Sequence, residues 1–272
     1  MLVLLGVGNV ATAVQELAVA SGYDTVYGTT RQAGKIELLE RRGIKPIVLD
    51  APLSMANLTA LETACENADV IASFPPSSSS DDDALSGTLR GAAKIVYVSS
   101  TGVYGGTTGI ITETSQVDND SPQSKARLEA EELWRSRGAI VLRAPALYGP
   151  KYGLHMSLRA GKFKLPGDGN RYSSRIHLDD LAAFILAALR AGKPKSLYVV
   201  GDDRPTTHRE VVEWLCNKMS VEFPESIPLE EAHVTLRANR QICADKIKSE
   251  LGIVLKYPSY VEGFEHCLSA DA

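Results

Sequence analysis

Short, wholly apolar runs recur along the chain and alternate with stretches whose apolar residues lie three or four positions apart. Seven runs have the length of a strand and are apolar on both faces, as expected for parallel strands buried between helices. They cover residues 2–5, 24–29, 44–49, 69–74, 94–99, 139–143 and 196–200. The helical stretches between them make successive βαβ units. The pattern therefore predicts an α/β protein with a doubly wound parallel sheet.

Three of the helical patterns have clear limits. One covers residues 124–137, and another follows Asp179 and Asp180. The spacing Thr207-x-x-Glu210 predicts a capping box at the start of a third helix.

Composition narrows the classes of protein that fit this pattern. The 272 residues suit one large domain or two unequal ones. Lys+Arg 29 against Asp+Glu 33 gives a net charge of -4, which argues against a nucleic-acid partner. No run of 18 apolar residues occurs, so no membrane span is expected, and Met1 leads into the first strand instead of a signal peptide. The tract Pro75–Asp83, rich in proline, serine and aspartate, predicts a solvated loop tip, with the cap of a short helix as the alternative.

The cysteines and histidines give no sign of a metal site. The four cysteines are far apart and form no CxxC pair, so they predict reduced thiols in a cytoplasmic protein, without zinc or a disulfide framework. The five histidines lack the spacing of metal ligands. We therefore expect no metal.

A glycine loop follows the first strand. Residues Gly6 to Ala11 have the form GxGxxA, in which Gly6 allows a tight turn and Gly8 lets a pyrophosphate approach the backbone. The free N–H groups near Asn9 and Val10 and the helix dipole favour the anion. A plain strand–helix turn of small residues is the alternative. The order of strand, loop and helix favours a dinucleotide site and a Rossmann-type sheet.

The end of the second strand bears on the choice between NAD and NADP. An acidic residue there would hold the ribose 2′-hydroxyl of NAD, but the chain reads Thr29-Thr30-Arg31. Arg31 can bind a 2′-phosphate bidentately, with Thr29 and Thr30 as hydroxyl donors. This favours NADP, with NAD as the alternative, unless Arg31 is only a solvated surface residue. Asp50, which ends the third strand, is expected either to meet the adenine amino group or to cap a turn.

Three further segments resemble the extended short-chain dehydrogenases/reductases. They are SSTGVYG at 99–105, LRAPALYGP at 142–150 and RIHLDDL at 175–181, in the family's order. The resemblance covers essentially the whole chain and is greatest to atypical NAD-dependent epimerase/dehydratase family proteins, the YeeZ-like group. It implies an NAD(P)-binding Rossmann core at 1–150 and a small C-terminal substrate lobe at 151–272. The strand at 196–200 would return to the core sheet.

The resemblance also implies catalysis by a serine, a tyrosine and a lysine. Ser100 matches the serine. Counting back from Glu131 places Gln123 at the tyrosine position and Arg127 at the lysine position. A glutamine amide has no usable proton-transfer equilibrium, and arginine stays protonated. Dinucleotide binding through Arg127 is therefore expected to survive, whereas the usual proton relay is not.

Other residues are candidates for the missing proton donor and for substrate binding. Tyr104, Tyr148 or His177 could replace the donor, with a packing role as the alternative for each. The residues expected on the substrate side are Thr101, Tyr104, Tyr148 and Arg175. The basic connection from 152 to 175 would suit an anionic ligand, unless it is only a solvated face.

Two functions are compatible with these expectations. The first is an NAD(P)-dependent oxidoreductase or epimerase with a non-standard proton donor, acting on a small or nucleotide-sugar-like substrate. The second, favoured by the missing tyrosine, is a dinucleotide-binding sensor or scaffold without turnover. In both cases the partner is a small molecule, and a homodimer is compatible with the sequence.

Overall fold

The computed structural model describes residues 1–49, 53–76 and 79–270, so Asp50 lies outside the described residues. The strands are β1 (Leu2–Leu5), β2 (Val26–Thr30), β3 (Ile44–Val48), β4 (Asp69–Ala72), β5 (Lys94–Ser100), β6 (Gly109–Ile111), β7 (Ile140–Ala144), β8 (Ala146–Tyr148), β9 (Leu165–Pro166), β10 (Tyr172–Ser173), β11 (Arg175–His177), β12 (Leu197–Val199), β13 (Thr206–Thr207), β14 (Ser226–Ile227) and β15 (Arg240–Ile242). The α-helices are α1 (Asn9–Ala20), α2 (Ile36–Arg41), α3 (Met55–Cys65), α4 (Ser79–Gly87), α5 (Pro122–Ser136), α6 (Leu154–Arg159), α7 (Leu178–Ala191), α8 (His208–Met219), α9 (Asp245–Leu251) and α10 (Tyr260–Ser269).

The seven strands predicted from the apolar runs form one parallel sheet, in the order β12-β7-β5-β4-β1-β2-β3. The predicted fold class, a doubly wound α/β sheet of the Rossmann type, is therefore confirmed. Strand β1 pairs with β2 on one side and with β4 on the other, so that Leu2 is opposite both Val26 and Asp69. The strand order reverses at this point, which is where such sheets bind ligands beyond the carboxyl ends of their strands.

The chain divides into two compact units, each built from separated segments. The sheet unit comprises Met1–Ser100, Lys125–Arg143 and Ala182–Tyr198, and the lobe unit comprises Thr101–Ser124, Ala144–Leu181 and Val199–Ala272. The expected division, a cofactor-binding core at 1–150 and a substrate lobe at 151–272 with the strand at 196–200 returning to the core sheet, stays a prediction. The chain leaves the sheet unit after β5 and re-enters it within α5, so neither unit is continuous in sequence.

Each unit has its own core. In the sheet unit, the Trp134 ring of α5 stacks on the Tyr97 ring of β5, with centroids 5.4 Å apart and planes within 3°. Phe74 meets the same indole edge-on at 6.1 Å. The described residues of the lobe unit form four two-stranded sheets, and in the core of this unit the Tyr148 and Phe264 rings lie 4.3 Å apart.

The three predicted helices are present as α5, α7 and α8. Thr207 caps α8 by accepting a hydrogen bond from the backbone N–H of Glu210 at 3.2 Å. The Glu210 carboxylate, however, accepts from Arg204 at 2.8 Å, so the cap is one-sided. A reciprocal capping box occurs instead at α10, between Ser259 and Glu262.

The prediction of a loop tip over Pro75–Asp83 is wrong for its second half, because α4 begins at Ser79. Asp81 and Asp82 lie in the first turn of this helix. Carboxylates there are stabilised by the unpaired N–H groups and by the helix dipole. The acidic run is therefore the start of a helix. Its composition alone does not distinguish a helix start from a solvated loop.

Candidate functional site

The glycine loop between β1 and α1 has the local geometry that an anion requires. Gly6 adopts φ +82°, a conformation that favours glycine, and a Cβ there would meet Phe74 at 3.3 Å. Gly8 has φ -118° and open space around its missing Cβ. Helix α1 starts directly afterwards with no side-chain cap and no acidic residue in its first turn. Its first N–H groups therefore lack an intrahelical partner and can bind a phosphate oxygen.

The end of β2 adjoins this loop. The backbone N–H of Gly6 donates to Thr29 Oγ1 at 2.8 Å, and Thr29 is buried. Thr30 Oγ1 accepts from the backbone N–H of Gln32 at 3.1 Å. These hydroxyls shape the loop and the strand end. A further role for them as donors to a 2′-phosphate stays a prediction.

Arg31 is the predicted phosphate ligand that solvent can reach. Its side chain is 54% exposed, and its guanidinium lies 3.7 Å from the Asp81 carboxylate. An exposed pair at this distance contributes little, so the guanidinium can exchange this partner for an incoming phosphate.

A buried ion pair lies beneath the carboxyl end of β5. Arg143 donates from Nη2 to Glu131 Oε2 at 2.7 Å and from Nε to Oε1 at 3.1 Å. Ser99 donates its hydroxyl to the same carboxylate. All three side chains are buried, so this bidentate pair fastens α5 to β5 and β7. Ser100, the predicted catalytic serine, follows Ser99 and is half-buried at the end of β5.

Gln123 and Arg127 lie on α5 one turn apart, which puts them on the same helix face. Gln123 is exposed and Arg127 is half-buried. Burial raises the pKa of Tyr97, and the nearby charge of Arg127 offsets part of that rise. Arg127 therefore lies near β5 within the sheet unit. Contact of Gln123 or Arg127 with a cofactor stays a prediction.

Two tyrosines that were candidates for the proton donor and the substrate site are core residues of the lobe unit. Tyr104 is fully buried and donates its hydroxyl to the Thr112 carbonyl at 2.9 Å. Tyr148 is 2% exposed, and its hydroxyl packs against the backbone of Gly263. Burial raises the pKa of Tyr148. These surroundings favour the packing role for both side chains.

His177 is also fully buried. Its Nδ1 accepts the backbone N–H of Asp179 at 3.1 Å, and burial lowers its pKa to about 4. The imidazole is therefore neutral near pH 7. It lies in a cluster with Asp179 and His266 of the kind that can hold a metal. However, its Nδ1 is already occupied, and Asp179 accepts from Lys256 Nζ at 3.2 Å.

Arg240 and Asp202, which sequence analysis did not single out, stand beside the predicted substrate residues Thr101 and Arg175 in the lobe unit. Thr101 begins a 3₁₀ turn, and its carbonyl accepts from Arg240 Nη1 at 2.7 Å. Asp202, whose backbone N–H bonds the Arg175 carbonyl, is buried. Among the described residues neither of its carboxylate oxygens has a hydrogen-bond partner. No sequence signal distinguishes these two from ordinary surface charges, because their burial depends on the tertiary fold.

Arg175 itself is buried in the lobe unit. Its Nη1 donates to Thr206 Oγ1, and its guanidinium lies 5.7 Å from the centre of the Tyr260 ring. Burial raises the pKa of Asp202 to about 7, and the attraction of Arg175 opposes that rise. The expected contact of Arg175 with the substrate stays a prediction.

No helix among the described residues is both long enough and apolar enough to cross a bilayer.

Residues 83–201 match the model of the NAD dependent epimerase/dehydratase family. A conserved protein of unknown function from Silicibacter pomeroyi DSS has 24% sequence identity and a TM-score of 0.84, over 100% of this chain and 98% of that one.

Two similar structures carry bound ligands. The double mutant of DesIV, a dTDP-glucose 4,6-dehydratase from Streptomyces venezuelae with NAD and DAU bound, has 18% identity and a TM-score of 0.80, over 99% of this chain and 96% of that one. UDP-glucuronic acid 4-epimerase from Bacillus cereus, in complex with NAD, has 17% identity and a TM-score of 0.78, over 99% of both chains. These likenesses establish the shared fold. The segment that matches the model of the NAD dependent epimerase/dehydratase family, residues 83–201, contains β5, α5, β7, β11 and α7.

Proposed function

We propose that this chain binds a nicotinamide dinucleotide with its pyrophosphate over residues 6–10 and acts as an oxidoreductase or epimerase on a nucleotide-sugar-like substrate. The open face of Gly8, followed by the uncapped start of α1, is the observation that carries the proposal. The NAD complexes of the similar dehydratase and epimerase structures, and the sugar nucleotides in those enzymes' names, support the choice of ligands.

In this proposal, different residues of the chain contact the substrate and the cofactor. A bound nicotinamide would supply the hydride acceptor or donor. Ser100 would hold a substrate oxygen at the end of β5. Arg127 would act as a fixed cation toward the nicotinamide ribose, and Gln123 would donate an amide hydrogen bond to substrate. Neither Gln123 nor Arg127 can exchange a proton near neutral pH, so the proton donor would be non-standard.

NADP is the cofactor that we favour, with NAD as the alternative. Arg31 is exposed at the end of β2, where a carboxylate for the NAD ribose is missing from the sequence. The NAD in the similar structures favours the alternative. Titration of both cofactors distinguishes the two.

A specific observation favours the second candidate, a dinucleotide-binding sensor or scaffold without turnover. Tyr104, Tyr148 and His177, the side chains that could replace the missing tyrosine, are all buried. Hydride transfer followed at the nicotinamide absorbance, over a panel of sugar nucleotides and small carbonyl compounds, separates the two functions. Cofactor binding without turnover across the panel would select the sensor.

The Gly8→Leu variant tests dinucleotide binding directly. A Cβ added at this position meets no described atom within 4 Å, and a longer side chain can extend from it into the open space, so the variant is expected to fold. It blocks the approach of the pyrophosphate, and we expect calorimetry to detect no binding of NADH or NADPH. Gly87→Leu is the matched control, because its Cβ also has open space. Wild-type affinity in a folded Gly8→Leu protein would refute the proposed site.

A further inference from the structure

The amino ends of β5 and β7 border a cleft that lies away from the proposed dinucleotide site. These two strands are neighbours in the parallel sheet, so their amino ends lie at the opposite edge from the glycine loop, which follows the carboxyl end of β1. The cleft has a volume of about 320 Å³, within the range of small-molecule sites. All of its lining residues belong to the sheet unit. They include the buried apolar residues Leu89, Ile95 and Ile140 and the cations Arg90, Lys94 and Arg137.

Positive charge is concentrated at this edge of the sheet unit. Three segments meet there that together contain seven lysines and arginines and no acidic residue. They are residues 90–94, 135–137 and 190–195. Lys94 Nζ donates to the Arg190 carbonyl at 3.0 Å, and Arg135 Nε donates to the Lys195 carbonyl at 3.1 Å. These carbonyls hold the side chains in place, but they bring no full negative charge.

The negative groups at this edge are fewer than the cations. Asp83 pairs with Arg137 at 3.2 Å, in a contact that is open to solvent. The carboxylate of Glu66 lies against Gly91, and Asp69 accepts a tyrosine hydroxyl at 2.6 Å. Helices α4, α5 and α7 end at this edge, and each helix end adds about half a negative charge. Seven cations outweigh these groups, so the edge keeps a positive charge in a chain whose net charge is -4.

Arg90 is the cation of the cleft whose binding capacity the fold leaves unused. It is exposed, and among the residues that the structure describes its guanidinium has neither a hydrogen bond nor an ion pair. It shares the cleft with Lys94 and Arg137. Repulsion between cations raises the free energy of this arrangement unless an anion lies among them. The cleft therefore has the charge and the free donors that an anionic ligand needs.

We propose that this cleft binds a small organic phosphate of the nucleoside diphosphate type, at a site separate from the glycine loop. The proposal does not depend on the proposed function. Phosphate oxygens match the planar forks of Arg90 and Arg137, and Lys94 adds a further positive charge. Because the pair between Arg137 and Asp83 is open to solvent, exchanging it for a phosphate costs little. The planar base covers the apolar part of the lining. A nucleic-acid strand fits less well, because the net negative charge of the chain repels the part that extends beyond this edge.

ADP is the probe, titrated by calorimetry without magnesium into protein that carries Gly8→Leu, so that the glycine loop cannot bind it. Arg90→Gln, Arg137→Gln and Lys193→Gln are added singly to this parent. Lys193 is exposed at the same edge but does not line the cleft, so its variant removes the same charge and is the matched control. Loss of one charge-assisted contact should weaken ADP binding roughly 10- to 150-fold in Arg90→Gln and in Arg137→Gln. Lys193→Gln should change it little.

Hydrogen exchange followed by mass spectrometry locates the bound ADP. Exchange should slow in residues 86–95 and 136–140 of the parent, and this protection should be lost in Arg90→Gln. A folded parent that does not bind ADP would overturn the proposal. Equal weakening by Arg90→Gln and Lys193→Gln would also overturn it, because net charge alone would then attract the anion.

A single-stranded oligonucleotide is titrated in parallel to test the other class of ligand. Tighter binding of the oligonucleotide than of ADP, weakened by Lys193→Gln as much as by Arg90→Gln, would assign this edge to a nucleic acid and refute the proposal. Should Gly8→Leu fail to fold, hydrogen exchange in wild type and in Arg90→Gln decides. Unchanged exchange of the two segments on addition of ADP, or protection that Arg90→Gln retains, would then refute the site.

Discussion

Individual site residues differ in how much of their hydrogen-bonding capacity the fold already uses. Thr29 and Thr30 lie at the end of β2 with Arg31, but their hydroxyls bond the backbone of Gly6 and Gln32. Only Arg31 extends into solvent, with a distant carboxylate as its partner. A charge on such a side chain remains available to a ligand, so cofactor preference should depend chiefly on this residue.

We therefore expect Arg31→Ala to weaken NADPH binding roughly 10- to 150-fold, the value of one charge-assisted phosphate contact. NADH binding should change little, because NADH has no 2′-phosphate. Calorimetry with both cofactors measures the two effects. Arg41→Ala is the control, since Arg41 is exposed and pairs only with Glu37. Equal affinity of wild type for both cofactors would remove the basis for an NADP preference.

At the scale of elements, α5 is the helix on which the proposed chemistry depends. Glu131 fastens it to β5 and β7, and Arg127 lies one turn before Glu131 on the same face. The buried pair fixes the rotation of the helix and so the direction in which Arg127 extends.

If Arg127 binds the nicotinamide ribose as a fixed cation, Arg127→Ala should weaken NADPH binding about tenfold or more. Any activity should show no pH step from a tyrosine on this helix, since α5 contains none. The double variant Gln123→Tyr with Arg127→Lys should gain reductase activity on small carbonyl compounds. Lys125→Ala, a change at an exposed position of α5, is the control. Unchanged NADPH affinity in Arg127→Ala would contradict this role.

The elements that sequence predicted are those whose cause is local. Each of the seven sheet strands overlaps one of the seven predicted strand segments, and the capped helix α8 carries its start signal at Thr207. Helix α4 was only the less favoured alternative, because a run of serine and aspartate begins a helix as readily as it forms a loop. In the site, the glycine loop could be predicted because its chemistry lies within six consecutive residues. The burial of Asp202 and Arg240 could not be predicted, because it is created by residues far away in sequence.

At the scale of the whole molecule, the free energy of unfolding should depend on pH through two kinds of buried group. One is an acid whose pKa is raised, and the other is a pair of histidines whose pKa values are lowered. Asp202 has a pKa raised to about 7 by burial, above its ordinary value of 3.8. The folded state therefore keeps a proton that the unfolded chain has already lost, and stability falls as pH rises from about 4 to about 7. His177 and His208 have pKa values lowered to about 4 by burial, so their contribution is lost as pH falls below about 6.5.

Asp202→Asn isolates the first effect from the second. The difference in unfolding free energy between the variant and wild type should rise by roughly 2 to 3 kcal/mol from pH 5 to pH 8. The reason is that wild type loses stability as Asp202 ionises, whereas the asparagine side chain cannot ionise. Urea denaturation at both pH values measures the difference. Asp24→Asn, at an exposed position, should show no such gain. A pH-independent difference between Asp202→Asn and wild type would contradict the assignment.

The interleaving of the two units limits how this protein can evolve. The backbone passes from one unit to the other after residues 100, 124, 143, 181 and 198. A crossover between genes at any single point would separate segments that pack in the same unit, so the lobe unit cannot be exchanged as a cassette. New specificity must arise by point substitutions on a retained frame.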